Sequence, residues 1–88
     1  MYYVYVLKST RTKWIYVGYT SDLKKRFDQH NSKMSVYTSY RGPWQLAYYE
    51  AYVSKLDAMN RERSLKRHAK ALGLLKKRIA RSLKGEGA

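Results

Sequence analysis

Glu62 lies in a stretch of sequence where a carboxylate needs a partner. Apolar residues recur around it at a period of about 3.6, which predicts a helix whose buried face carries Ala58, Leu65, Ala69 and Leu72. Glu62 falls in the middle of that face, where a carboxylate is costly unless it is paired or coordinates an ion. Two hypotheses follow. Glu62 forms a buried ion pair, or it points into a cleft and binds a metal or a substrate.

Tyr5 and Tyr16 are predicted to stand side by side on one face of a β-hairpin. Residues 2–8 and 14–19 are rich in β-branched and aromatic side chains, and a short polar connection joins them. If residues 9–12 form the loop, Tyr5 lies directly opposite Tyr16 with their Cβ atoms ~5 Å apart. Gly18 lies close by, and its missing side chain leaves room for another group. The pair either stabilises the sheet or belongs to a reaction site.

A helix predicted over residues 23–31 carries two more polar candidates. His30 shares a narrow stripe with the apolar Leu23 and Phe27, and Arg26 lies at the edge of that stripe. Arg26 and His30 are four residues apart, so their side chains are neighbours. Taken singly, an arginine at a helix edge is a solvated charge and a lone histidine is structural. Their place just after the hairpin makes them candidates for the same site.

The remaining segments complete a small α+β domain. Residues 44–52 predict a third strand, and the first strand is apolar on both faces, which places it at the centre of the sheet. Ser54 and Asp57 resemble a capping box that starts a long helix, which Gly73 interrupts before a last, very basic helix. The order ββαβαα therefore predicts a small three-stranded antiparallel sheet flanked by helices.

The domain boundaries follow from the same pattern. We expect one domain over residues 1–83 and a flexible tail over residues 84–88, which contain two glycines. Two other titratable residues are expected to have structural roles. Glu50 should form an ion pair, and His68 should lie on the surface.

Charge and composition indicate the class of partner. The 88 residues include 19 lysines and arginines against six acids, which gives a net charge of +13. Such an excess favours polyanions, and the ten tyrosines and two tryptophans suit stacking on bases. Cysteine is absent, which excludes a disulfide framework, a thiolate zinc site and a cysteine nucleophile. With no apolar stretch near ~20 residues and a start close to the first strand, we expect no membrane partner, no signal peptide and a cytoplasmic location.

These residues together resemble the GIY-YIG nuclease domain. The two halves of its signature correspond to Tyr3-Val4-Tyr5 and to Tyr16-Val17-Gly18, and Arg26, His30 and Glu62 follow in the family's order and spacing. The similarity covers residues 1–83 and is strongest to a small standalone bacterial branch, similar to the nuclease domain of the repair protein UvrC. Tyr37-Thr38 and the Arg61-Glu62 pair recur in that branch. Tyr3 stands where the signature has glycine, and the C-terminal asparagine of several members has no counterpart.

The resemblance implies phosphodiester hydrolysis with one divalent metal, Mg²⁺ or Mn²⁺, held by Glu62. Either Tyr5 or Tyr16 would activate water as a phenolate. Because an ordinary tyrosine has a pKa near 10, a metal or a guanidinium must lower that value. Arg26 would stabilise the charge of the pentacovalent phosphate, and His30 would hold a phosphate, or orient or relay a proton for a phenol.

The acidic residues agree with a single ion. They are scattered along the chain as Asp22, Asp28, Glu50, Asp57, Glu62 and Glu86. A two-metal nuclease needs several converging carboxylates, whereas Mg²⁺ accepts one carboxylate together with phosphate oxygens and water.

We therefore expect a metal-dependent endonuclease that acts on DNA, as a monomer or weak dimer, in DNA repair or recombination. A chain of this length leaves no room for an added recognition domain, so a preference for flaps, branches or nicks, or nonspecific cutting, is expected. The alternatives are a non-catalytic nucleic-acid-binding module that keeps the fold, and a scaffold for a larger repair or ribosome-associated assembly.

Overall fold

The computed structural model describes residues 1–32 and 41–85, and within them it has three strands and four helices. The elements are β1 (Tyr2–Ser9), β2 (Ile15–Thr20), α1 (Leu23–Asn31), β3 (Trp44–Tyr52), α2 (Lys55–Arg67), α3 (Ala69–Arg78) and α4 (Ala80–Leu83). The strands form one antiparallel sheet in the order β2-β1-β3, which confirms the predicted α+β class and the central first strand. Tyr37-Thr38 and residues 86–88 of the predicted tail lie outside the described residues.

β1 is buried on both faces because each face supports its own apolar cluster. Val4 and Val6 pack on one face against the helices that follow β3, through residues such as Leu65. Tyr5 and Leu7 belong to the opposite face, which α1 covers with part of its length. The alternation along one strand therefore assigns the tyrosine to the α1 side of the sheet and the aliphatic core to the other.

The hairpin register differs from the predicted one. Tyr5 lies opposite Gly18, and Tyr16 lies opposite Leu7, so the expected direct Tyr5–Tyr16 pairing is wrong. The strand continues through Ser9, whose hydroxyl oxygen accepts hydrogen bonds from the backbone N–H groups of Arg11 and Thr12 at 3.1 Å. These bonds move the loop one residue along the chain, and the backbone N–H of Ser9 then donates to the carbonyl of Trp14 at 3.0 Å.

The helix starts agree with their capping residues. The Asp22 side chain accepts a hydrogen bond from the Lys25 N–H at 3.1 Å at the start of α1. The Ser54 hydroxyl accepts one from the Asp57 N–H at 3.2 Å at the start of α2. Among the described helices, none has the length and apolar character needed to cross a bilayer.

The long second helix ends earlier than predicted, at Arg67. His68 has an extended backbone (φ −115°, ψ 103°) and separates α2 from α3, while Gly73 lies inside α3. Across this break, Leu65 from α2 and Leu75 from α3 both enter the same core. Glycine inside a helix lowers its stability by roughly 0.5–1 kcal/mol relative to alanine but does not end it.

Candidate active site

Tyr5 and His30 form a buried pair at the centre of the α1 side of the sheet. Each residue is only 1% exposed, and the Tyr5 hydroxyl lies 2.8 Å from His30 Nε2. Tyr16 completes an aromatic cluster, with its ring centroid 6.2 Å from that of Tyr5 and 4.8 Å from that of His30. The two tyrosines therefore share one face as neighbours on a diagonal rather than as a directly opposed pair.

Gly18 supplies the space for the Tyr5 ring. A Cβ atom at position 18 would lie 2.3 Å from the Tyr5 hydroxyl oxygen and 2.4 Å from its Cζ atom. No residue with a side chain fits there while Tyr5 keeps its place. The group that approaches the glycine backbone is thus the phenol that pairs with His30.

Arg26 adds a positive charge to this cluster from one turn earlier on α1. Its guanidinium donates to Gln29 Oε1 at 3.1 Å, and this hydrogen bond holds the long Arg26 side chain along the helix. The Arg26 charge acts on both the Tyr5 phenol and the His30 imidazole. A guanidinium beside two neutral rings is suited to receive an anion such as a phosphate oxygen.

Burial keeps the Tyr5–His30 pair uncharged at neutral pH. Burial, with a smaller contribution from Tyr16, raises the pKa of Tyr5 to about 12, although Arg26 opposes this. Burial also lowers the pKa of His30 to about 4, and the charge of Arg26 acts in the same direction. The 2.8 Å contact is therefore a hydrogen bond between two neutral groups.

Glu62 reaches the same region from α2. Its carboxylate contributes to the raised pKa of Tyr5. Lys66, one turn further along α2, lies 3.1 Å from Glu62 Oε2 and 5.5 Å from the centroid of the Tyr16 ring. The Glu62 and Lys66 side chains are 25% and 45% exposed, so this is a surface pair within one helix rather than the buried ion pair that the sequence left open. Lys66 was not among the predicted site residues, although its spacing from Glu62 is a recognised signal.

A second carboxylate holds α2 against the sheet. Arg61 donates to Glu50 of β3 through Nε at 3.0 Å and Nη2 at 3.1 Å, and the Tyr48 and Tyr52 hydroxyls donate to the same carboxylate. Burial opposes ionisation of Glu50, but these partners outweigh it and hold its pKa below the usual value. The predicted structural ion pair of Glu50 is confirmed, and it anchors the residue next to Glu62.

The donor set near the aromatic cluster offers a single carboxylate. The described residues contain no group of three or more histidine, cysteine, aspartate or glutamate side chains that could hold a metal ion together. Glu62 is partly exposed, and its charge acts on the Tyr5 phenol. Its hard oxygen atoms suit Mg²⁺ or Mn²⁺, with phosphate oxygens and water as the other ligands.

The chain is similar to known proteins in sequence and in structure. The sequence model of the GIY-YIG catalytic domain matches residues 1–80. The UPF0213 proteins of Streptococcus pyogenes serotype M5 (strain Manfredo) and serotype M1 are each 46% identical to this chain over 83 residues, covering 93% of it and 78% of the relative. The solution NMR structure of a UPF0213 protein from Bacillus halodurans is similar with a TM-score of 0.52 and 37% identity, covering 99% of this chain and 89% of that one.

Proposed function

The chain belongs to the family of GIY-YIG catalytic domains, a nuclease family, and on that premise we propose that it is a metal-dependent endonuclease that hydrolyses phosphodiester bonds in DNA. The observation that supports this most strongly is the meeting of residues from four separate elements. These residues come from β1, β2, α1 and α2, and the rings of Tyr16 and His30 and the charges of Arg26 and Glu62 all act on the Tyr5 phenol.

We assign different tasks to the two tyrosines. Tyr5 is 1% exposed, and its pKa of about 12 keeps the phenol protonated at neutral pH, so it orients the site through His30. Tyr16 is only partly buried, so solvent reaches part of its side chain. Tyr16, as its phenolate, takes a proton from the attacking water, which adds to phosphorus as the bond to the leaving oxygen breaks.

Arg26 acts on the phosphate, and His30 acts on it only through the Tyr5 phenol. Additional negative charge develops on the phosphate oxygens as the water adds. The Arg26 guanidinium stabilises that charge best in a site from which water is partly excluded. His30 is neutral at pH 7 because its pKa is about 4, so its role is to fix the Tyr5 phenol beside the phosphate rather than to supply a proton.

Glu62 is the residue that would hold the metal. A divalent cation bound there would polarise a phosphate oxygen and stabilise the leaving group. Lys66, which neutralises Glu62 in this structure, is itself exposed and flexible enough to turn toward solvent or phosphate when a cation takes the carboxylate. The Glu50–Arg61 pair keeps α2 in place during that exchange.

The net charge supports DNA as the substrate. A charge of +13 on 88 residues favours the phosphate backbone irrespective of sequence. We propose that the enzyme prefers a branched, flapped or nicked structure or cuts nonspecifically, acts in DNA repair or recombination, and works as a monomer or weak dimer.

A cleavage assay tests this proposal. Purified protein is incubated with duplex, single-stranded and branched DNA in Mg²⁺, in Mn²⁺ and in chelator, and the Arg26→Ala variant prepared in parallel controls for contaminating nucleases. Cleavage that requires the metal and disappears in the variant supports the endonuclease. Salt-dependent binding without cleavage in either metal would instead support the non-catalytic binding module.

A further inference from the structure

A basic pocket lies at the closed end of the hairpin, away from the Tyr5–His30 pair. It has a volume of about 430 Å³ and is formed where the loop between β1 and β2 meets α3 and α4. Four lysines line it: Lys8, Lys13, Lys76 and Lys84. We call this the hairpin pocket.

Within the described residues, no carboxylate balances the positive charge of the hairpin pocket. None of the five carboxylates among the described residues lines it, and the two ion pairs found within those residues, Arg61–Glu50 and Lys66–Glu62, lie elsewhere. Four ammonium groups around one pocket repel one another unless an anion enters. The pocket is therefore suited to a phosphate group, which offers several acceptors to several lysines.

Trp14 gives the hairpin pocket an aromatic wall. The residue is 49% exposed, whereas the other tryptophan, Trp44, is 2% exposed and belongs to the core. The Arg41 guanidinium lies 4.4 Å from the centroid of the Trp14 ring, which places a further cation beside the indole. An exposed indole among cations is the combination on which unpaired bases stack.

The pocket lies on the α3 and α4 side of the sheet, opposite the Tyr5–His30 pair, and Trp14 connects it to Tyr16 along the chain. Trp14 precedes Tyr16 by two residues at the start of β2, a separation of ~7 Å in extended chain, and Ile15 between them also lines the pocket. A nucleic-acid strand that presents a phosphate to Tyr16 and Arg26 can reach Trp14 within a few nucleotides.

We propose that the hairpin pocket binds a single-stranded segment of the DNA substrate, with its backbone phosphate among the four lysines and an unpaired base stacked on Trp14. This inference rests on the proposed function, and it makes an unpaired stretch next to the cut the feature that the enzyme recognises. A blunt duplex has phosphates that the lysines can bind, but it has no unpaired base that can stack on Trp14.

Tryptophan fluorescence tests the stacking contact. Binding is measured in chelator, so that no cleavage occurs, with a blunt duplex and with duplexes carrying 5′ or 3′ overhangs of four nucleotides, with bases or abasic. We expect fluorescence quenching by the base-bearing overhang of one polarity, 5′ or 3′, and little quenching by the abasic form of that overhang or by the blunt duplex. The quenching should be lost in Trp14→Phe. Equal quenching by blunt, abasic and base-bearing DNA would overturn the proposal.

Paired charge variants test the phosphate contact. Lys13→Gln with Lys76→Gln removes two exposed cations from the pocket, and Lys55→Gln with Lys70→Gln removes two exposed cations elsewhere. For the preferred overhang, the first variant should reduce the slope of log affinity against log salt by up to about 0.7, the contribution of one single-strand phosphate contact. Equal slopes in the two variants would contradict the pocket.

The two proposals fail in different ways. Metal-dependent cleavage by a protein that binds blunt and overhanging DNA alike would overturn the hairpin pocket alone. Base-dependent quenching by a protein that never cuts would support the pocket and overturn the endonuclease.

Discussion

The phenol of Tyr5 occupies the space above Gly18, its partner across the hairpin, and reaches His30 on the other side. A glycine in the middle of a strand weakens the strand because it has no side chain to pack. Here the loss is compensated, since the absent side chain lets the central strand direct a buried hydroxyl to an imidazole on α1.

Gly18→Ala should displace the Tyr5 ring. The new methyl group would stand 2.3 Å from the hydroxyl oxygen, so we expect a loss of about 1–3 kcal/mol of stability and a large loss of cleavage. Urea unfolding measures the first effect. Gly73→Ala is the control. A Cβ atom added at position 73 of α3 has no neighbouring atom within 4 Å, so this substitution should stabilise the protein by about 0.5–1 kcal/mol. A stable, active Gly18→Ala protein would contradict the packing described.

The tyrosines should respond differently to loss of their hydroxyl groups. Tyr16→Phe removes the proposed base and should reduce the single-turnover rate by about 10²–10⁴-fold with the fold intact. Tyr5→Phe removes the hydrogen bond to His30 and should cost about 1 kcal/mol of stability with a smaller effect on the rate. The reverse order of rate effects would assign the base to Tyr5.

Glu62→Gln should abolish cleavage without unfolding the protein. Its partner Lys66 is 45% exposed, so losing the pair should cost less than about 0.5 kcal/mol. Loss of Mn²⁺ binding by isothermal titration would accompany the loss of activity.

Glu50→Gln is the matched control for Glu62→Gln because it removes the same charge from a carboxylate that binds Arg61. We expect it to lower stability by about 2–4 kcal/mol while metal affinity per folded molecule persists. A Glu62→Gln protein that still cuts at the normal rate would exclude Glu62 as the metal ligand.

Arg26→Ala should slow the chemical step far more than it weakens DNA binding. A loss of about 2–4 kcal/mol in transition-state stabilisation is expected, as for other donors to a developing anion. Lys25→Ala removes an exposed cation from the adjacent position on α1 and should change only the affinity. Equal losses of binding and turnover in Arg26→Ala would mark the residue as a plain phosphate anchor.

Stability should fall as the pH is lowered from about 6.5 to about 4. Burial holds the pKa of His30 near 4, below its value of 6.5 in the unfolded chain, so within that window the unfolded chain binds a proton that the folded chain does not. The stabilisation is complete above pH 6.5 and declines by up to about 1.4 kcal/mol per pH unit below it.

Urea unfolding of the wild type and His30→Gln across pH 4–7 isolates the contribution of His30, since the carboxylates titrate in both proteins. His68→Gln, an exposed position, controls for the removal of an imidazole. Identical pH dependence in wild type and His30→Gln would show that folding does not change the pKa of His30.

Local signals made most of the fold predictable from the sequence. The caps at Asp22 and Ser54 act within three residues, and the two apolar faces of β1 are visible as a run without alternation. The residue types of the candidate site were likewise visible, because a carboxylate on an apolar face and an arginine paired with a histidine stand out locally.

The remaining features depend on partners far away in sequence. The Ser9 hydroxyl, which sets the hairpin register, also donates to the carbonyl of Arg41, and Arg61 finds Glu50 on another element. The break at His68 follows from the packing of two helices into one core. Periodicity carries no information on any of these contacts.

The hairpin also poses a problem of folding fidelity. Closing it one residue earlier at each end would slide β2 by two residues, and a shift of two leaves every side chain on its own face of the sheet. Hydrophobic patterning therefore cannot reject the slipped hairpin, in which Tyr5 would meet Tyr16 and Gly18 would meet Tyr3. Two other features favour the observed register over the slipped one. The Ser9 hydroxyl hydrogen-bonds the loop of the observed register, and Gly18 leaves room for the Tyr5 phenol. Two of the smallest residues, Ser9 and Gly18, thus determine the register in which the larger side chains pack.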